Sequence, residues 1–146
     1  MEDIVQAGEL LASVSAVLGG LAFTAAASLL AAGSGTSNPD ALNRPAKITI
    51  ASAVLSTLTL ISAAVIFSTA AAGAALADVD EPNAVNGLMP IFRYGYLGLV
   101  AGSFSFFVSV GASGWIASRR LGAITTTGAV LAGVVTLRVL DWLALF

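Results

Sequence analysis

The chain has 146 residues, of which 58% are hydrophobic and 10% charged, with a net charge of −2. Soluble domains carry about 25% charged residues, so this composition excludes an ordinary soluble domain and leaves room for one compact membrane domain. Cysteine and histidine are both absent, which excludes disulfides, thiolate nucleophiles, cysteine metal sites and the usual imidazole metal ligand and proton shuttle.

The amino terminus, MEDIVQAGEL, is acidic and lacks the positive region of a signal peptide, so the first apolar span is expected to be retained. That span runs over residues 10–33, with Glu9 at its entry and the run Gly33-Ser-Gly-Thr-Ser-Asn-Pro39 at its exit, rich in turn-forming residues. Ala12, Ala16 and Gly20 recur at four-residue spacing, with Ser15 and Gly19 beside them. This is the small-xxx-small arrangement that lets transmembrane helices approach closely. It serves either packing within one bundle or a pore or subunit contact.

A loop of about a dozen residues holds Asp40, Arg44, Pro45 and Lys47. The second span, 48–77, is 30 uncharged residues, rich in Ser and Thr in its first half and in alanine in its second. Hydroxyls in such a helix bond back to the carbonyl four residues earlier and need no other partner. Asp78, Asp80, Glu81 and Pro82 then end the helix and open an acidic loop expected to reach about Asn86. Asp-Val-Asp-Glu lacks the glycine and distal glutamate of a calcium loop, and reads as a solvated turn.

Leu88–Phe92, interrupted by Pro90 and followed by Arg93, either joins the third helix or lies in the interface. The third span, 94–118, is 25 residues without a charge. As a helix it is roughly 37 Å long, enough for a hydrocarbon core of about 30 Å. Tyr94 and Tyr96 mark one end, and Trp115 marks the other beside Arg119 and Arg120, as expected of interfacial anchors. Ala101, Ser105, Ser109, Ser113 and Ala117 form a small stripe, and Phe104, Phe107, Val108, Gly111 and Trp115 a bulkier face.

Only the two arginines separate this span from the fourth, 121–145, which predicts a tight antiparallel hairpin. Thr125, Thr126 and Thr127 lie early in it, and Arg138 and Asp141 lie three residues apart near its end. An ionisable pair inside a membrane is a functional candidate. At this height Arg138 is also placed to snorkel to the interface beside Trp142.

An even number of spans puts both termini on one side. Arg44, Lys47, Arg119 and Arg120 fall at one end, against Arg93 and Arg138 at the other. The positive-inside rule then places the first set in the cytoplasm and both termini outside, in the plasma membrane.

Catalytic chemistry is not indicated. No nucleophile has a base beside it, no lysine lies within a span, and GSGTS lacks the Lys-Ser/Thr of a phosphate loop. Glu9 is the only carboxylate available to a proton-coupled four-span transporter, and it sits at the membrane edge. No metal and no cofactor is expected. The small net charge and the lack of a basic cluster also argue against a nucleic-acid partner.

Two stretches carry a resemblance. Ser15-Ala-Val-Leu-Gly-Gly-Leu-Ala-Phe-Thr-Ala in the first span resembles the pore helix of Orai-type calcium-channel subunits, which also have four spans. Gly102-Ser-Phe-Ser-Phe-Phe-Val-Ser-Val-Gly-Ala-Ser-Gly-Trp-Ile is similar to their third span. The resemblance implies a ring of subunits with the first helices around a pore, and Leu18, Leu21 and Thr24 facing it. Ser28 stands where that family has its filter glutamate, Ser109 replaces a third-span acid, and the basic residues before the pore helix are missing. Calcium selectivity is therefore not implied.

The expected fold is all-α, four transmembrane helices in an antiparallel bundle. Pore-lining or helix-contact candidates are Leu18, Gly20, Leu21, Thr24, Ser28, Ser105, Ser109 and Ser113. The expected partners are the lipid bilayer and further copies of the chain. The leading functional expectation is an oligomeric channel or pore-like protein; the others are an accessory subunit of a larger membrane complex and a small four-helix transporter.

Overall fold

The computed structural model of the chain describes residues 2–34, 44–76 and 82–144, with side chains described over 5–31, 44–76 and 87–138. These residues form four helices: α1 Glu2–Ser34, α2 Arg44–Leu76, α3 Pro82–Ala117 and α4 Arg119–Ala144. Each contains a stretch long and apolar enough to cross a membrane. α2 has 33 residues, roughly 50 Å at ~1.5 Å per residue, longer than a hydrocarbon core of about 30 Å.

Two boundaries differ from the sequence expectation, and the first is that α2 already begins at Arg44, so Arg44, Pro45 and Lys47 belong to the helix rather than to the loop before it. The acidic loop does not reach Asn86, because α3 already begins at Pro82, where proline is favoured as a first helical residue lacking an N–H. Leu88–Phe92 joins α3 rather than lying apart, and the helix runs through Pro90. Proline costs one ladder bond there. The segment is held by its neighbours: Leu88 reaches over Gly73, and the Phe92 ring lies 6.0 Å from that of Phe67.

The helices follow one another as a row. α2 packs on both α1 and α3, α1 touches α3 only lightly, and α4 rests chiefly on α3. Buried positions on α2 step by three and four along nearly its whole length: Ala46, Thr49, Ala53, Ser56, Leu60, Ala63, Phe67, Ala70 and Ala74. A mean step of 3.5 is the spacing of a left-handed coiled-coil seam. α1 answers with Gly8, Ser15, Gly19, Ala22 and Ala26, and α3 with Gly95, Leu99, Gly102 and Ser109, all buried. The seam is built mostly of small and hydroxyl residues. Its bulk is concentrated in one cluster, where Leu60, Ala63, Phe67 and Leu99 are covered by Leu11, Leu18, Tyr96 and others.

Across each joint the partner numbers run in opposite senses. Gly8 of α1 lies against Ala71 of α2, and Gly19 against Leu60 and Ile61. Gly111 of α3 lies against Thr126 and Ala129 of α4, and Gly133 against Phe107. Between α3 and α4 only Ser118 is not helical. Its amide donates to the Gly114 carbonyl at 3.2 Å, and its Oγ accepts from the Leu121 amide at 3.2 Å, so Ser118 is the N-cap of α4.

Candidate functional site

Each joint is fastened by a hydroxyl that reaches a glycine carbonyl on the next helix. Thr57 Oγ1 lies 3.4 Å from the Gly19 carbonyl of α1, while mainly bonding its own Ala53 carbonyl at 2.9 Å. Ser56 Oγ donates to the Gly102 carbonyl of α3 at 2.8 Å. Thr125 Oγ1 lies 3.1 Å from the Gly111 carbonyl. Glycine has no side chain to cover its carbonyl, so a neighbour's hydroxyl can enter. A reciprocal bond, Ser109 Oγ to the Thr49 carbonyl at 3.1 Å, lies seven residues from Ser56 and Gly102 on each helix. Ser56 and Gly102 were not among the contact candidates read from sequence; the three-four spacing of α2 is the signal that would have found Ser56.

The small stripe on α3 does not remain on one face. Four residues turn a helix by about 400°, so each step drifts by ~40°. Ser109 is consequently buried on α2, whereas Ser105 and Ser113 are half-buried and bond back to the Ala101 and Val110 carbonyls at 3.0 and 2.7 Å. Of the three serine candidates, Ser109 alone makes an interhelical bond.

α1 has two small faces. The inner one carries Ser15, fully buried, whose Oγ has no partner among the described residues. Leu18 is half-buried against the Leu60 cluster. The outer face carries Ala16, Gly20, Leu21, Thr24 and Ser28, all exposed. A Cβ on Gly20 would meet nothing within 4 Å. Thr24 Oγ1 donates to the Gly20 carbonyl at 2.9 Å and Ser28 Oγ to the Thr24 carbonyl at 2.8 Å. Their protons are spent on the backbone, and the oxygen lone pairs point outward as acceptors.

On the opposite flank, α4 leans away from α2 and leaves a cleft of about 650 Å³. Phe104, Phe107 and Trp115 of α3, Val130 and Val134 of α4, and Pro45 and Ile48 of α2 line it. The Trp115 indole is pinned by a 3.0 Å bond from Nε1 to Thr126 Oγ1. This cleft gathers the whole of the bulky face read from the third span: Phe104, Phe107, Val108, Gly111 and Trp115.

Arg138 is exposed, and the side chain of Asp141 lies outside the described residues. Among the described residues no group of three or more acidic side chains could hold a metal ion. The arrangement offers close-packing surfaces, exposed hydroxyl acceptors and an apolar cleft. No family model matches the chain, and neither a curated protein nor a solved structure matches it.

Proposed function

We propose that this chain is an integral membrane protein of the plasma membrane, an antiparallel bundle of four transmembrane helices that self-associates as an oligomeric channel or pore-like protein for ions or small solutes. The distribution of side chains supports the membrane reading. Small and hydroxyl residues fill the seams, while large apolar side chains such as Val17, Phe23, Leu58 and Leu131 lie outside, each more than 60% exposed. Bilayer-crossing helices have this arrangement, because hydrocarbon solvates leucine as well as a core does.

The single observation that carries the channel reading is the outer face of α1. Ala16, Gly20, Thr24 and Ser28 recur every four residues and are exposed among the described residues. Four-residue spacing suits a crossing of two such ridges, whereas the inner face of α1 uses the three-four spacing of the seam. Copies meeting through these ridges would bring the Thr24 and Ser28 acceptors around a common axis, where they can ease passage of a cation or polar solute.

Gly20→Leu tests this reading. It should dissociate the oligomer in mild detergent and abolish flux through reconstituted vesicles, with helicity unchanged because nothing among the described residues lies within 4 Å of a Cβ at that site. An oligomer and a flux that both survive would remove the basis for a pore around α1. A wild-type chain that is monomeric and silent would favour the accessory-subunit reading.

A further inference from the structure

The α2–α3–α4 cleft has a shape and a rim that together specify an occupant. Along α3 it extends from Phe104 to Trp115, 11 residues or roughly 16 Å. That is about one leaflet of a hydrocarbon core some 30 Å thick. Lined along this length by apolar side chains, the cleft suits an extended hydrocarbon chain. It is open along one side, where Phe104 and Val130 are 61% and 60% exposed.

Apart from Arg138, which follows Leu137 at the opposite end, cationic charge gathers at one end of it. Pro45 and Trp115 mark that end, and the cations adjoining them in sequence are Arg44, Lys47, Arg119 and Arg120, all exposed. They are four of the six cationic residues of the chain. We infer that the cleft is a binding site for one anionic phospholipid, with an acyl chain in the cleft and its phosphate at the Arg44–Lys47–Arg119–Arg120 rim. This rests on the membrane reading above. It also agrees with the cytoplasmic placement of these cations, since anionic lipids are concentrated in that leaflet.

Trp115 reports occupancy directly. The chain has two tryptophans, and Trp142→Phe leaves Trp115 as the single emitter. The full chain is reconstituted into phosphatidylcholine vesicles with a rising fraction of dibrominated phosphatidylglycerol or, separately, dibrominated phosphatidylcholine. Half-quenching by the anionic lipid should need at least about fivefold less lipid, the effect of one cation on one headgroup charge. Arg119→Gln with Arg120→Gln should remove most of that preference. Val130→Phe with Val134→Phe, which fills the cleft and leaves the rim intact, should remove it too.

Equal quenching by both lipids, in vesicles that retain the protein through alkaline extraction, overturns the lipid site and leaves the membrane reading standing. A preference that survives the filled cleft shows headgroups gathered by surface charge alone and overturns it as well. If filling the cleft changes oligomer size instead, a second copy occupies it. Protein stripped from the vesicles by alkali fails the membrane reading itself.

Discussion

At the scale of single residues, the fold depends on positions where a side chain would be one atom too many. A Cβ on Gly102 would lie 2.6 Å from Leu60 Cγ and 2.8 Å from Thr59 Oγ1, so α2 and α3 would have to separate at their closest crossing. Gly102→Ala should cost about 1–3 kcal/mol, the usual range for overpacking. Gly128, with nothing within 4 Å of its Cβ direction, should accept alanine without loss. Ser109→Ala removes only one interhelical bond, worth ~0.6 kcal/mol on average, and should fall between them. Reversible unfolding in mixed micelles measures all three. If Gly102→Ala proves as stable as Gly128→Ala, the close approach of α2 and α3 is wrong.

At the scale of elements, the α3–α4 hairpin is the joint most dependent on local geometry. α3 and α4 turn about one non-helical residue, Ser118, which forces the flanking turns almost into contact. A Cβ on Gly114 would lie 2.7 Å from the Leu121 carbonyl oxygen, and one on Gly122 would lie 2.6 Å from Trp115 Cγ. Gly122→Ala should therefore displace the indole, break its bond to Thr126 and loosen α4. The expected readout is a weaker near-UV tryptophan signal with faster tryptic cleavage at Arg119–Arg120, against an unchanged signal for Gly128→Ala. Unaltered spectra and cleavage in Gly122→Ala would mean that the turn is not set by this contact.

At the scale of the whole molecule, four helices in a row leave two surfaces to be covered, the outer face of α1 on one flank and the cleft beside α4 on the other. Their use depends on which end of the row meets the cytoplasm. Because the chain has no native cysteine, single cysteines at Ser37 and Asn83 can be labelled in intact cells with an impermeant reagent. Asn83→Cys should label and Ser37→Cys should be protected, placing the arginine-rich end inside. The reverse pattern would overturn the orientation and place the cationic rim of the cleft in the outer leaflet.

The sequence by itself determined how many helices there are and roughly where they run. Long uncharged runs, glycine- and proline-rich breaks and flanking charges are local properties that need no knowledge of the partner. The close succession of α3 and α4 was legible for the same reason, since two arginines leave no room for a loop. Only the tertiary structure decided which face of each helix turns inward. Every face of these helices carries apolar residues, so hydropathy does not separate core from surface as it does in a soluble helix. The choice falls to packing at 3.5-residue spacing, against which a four-residue stripe drifts. Hence Ser109 bonds across to α2 while Ser105 and Ser113 bond back within α3, and Leu18 turned into the core while Gly20, Thr24 and Ser28 stayed outside. The cleft was beyond reach for a further reason. It exists because α4 rests on α3 without closing onto α2, a matter of how helices are arranged that no single helix encodes.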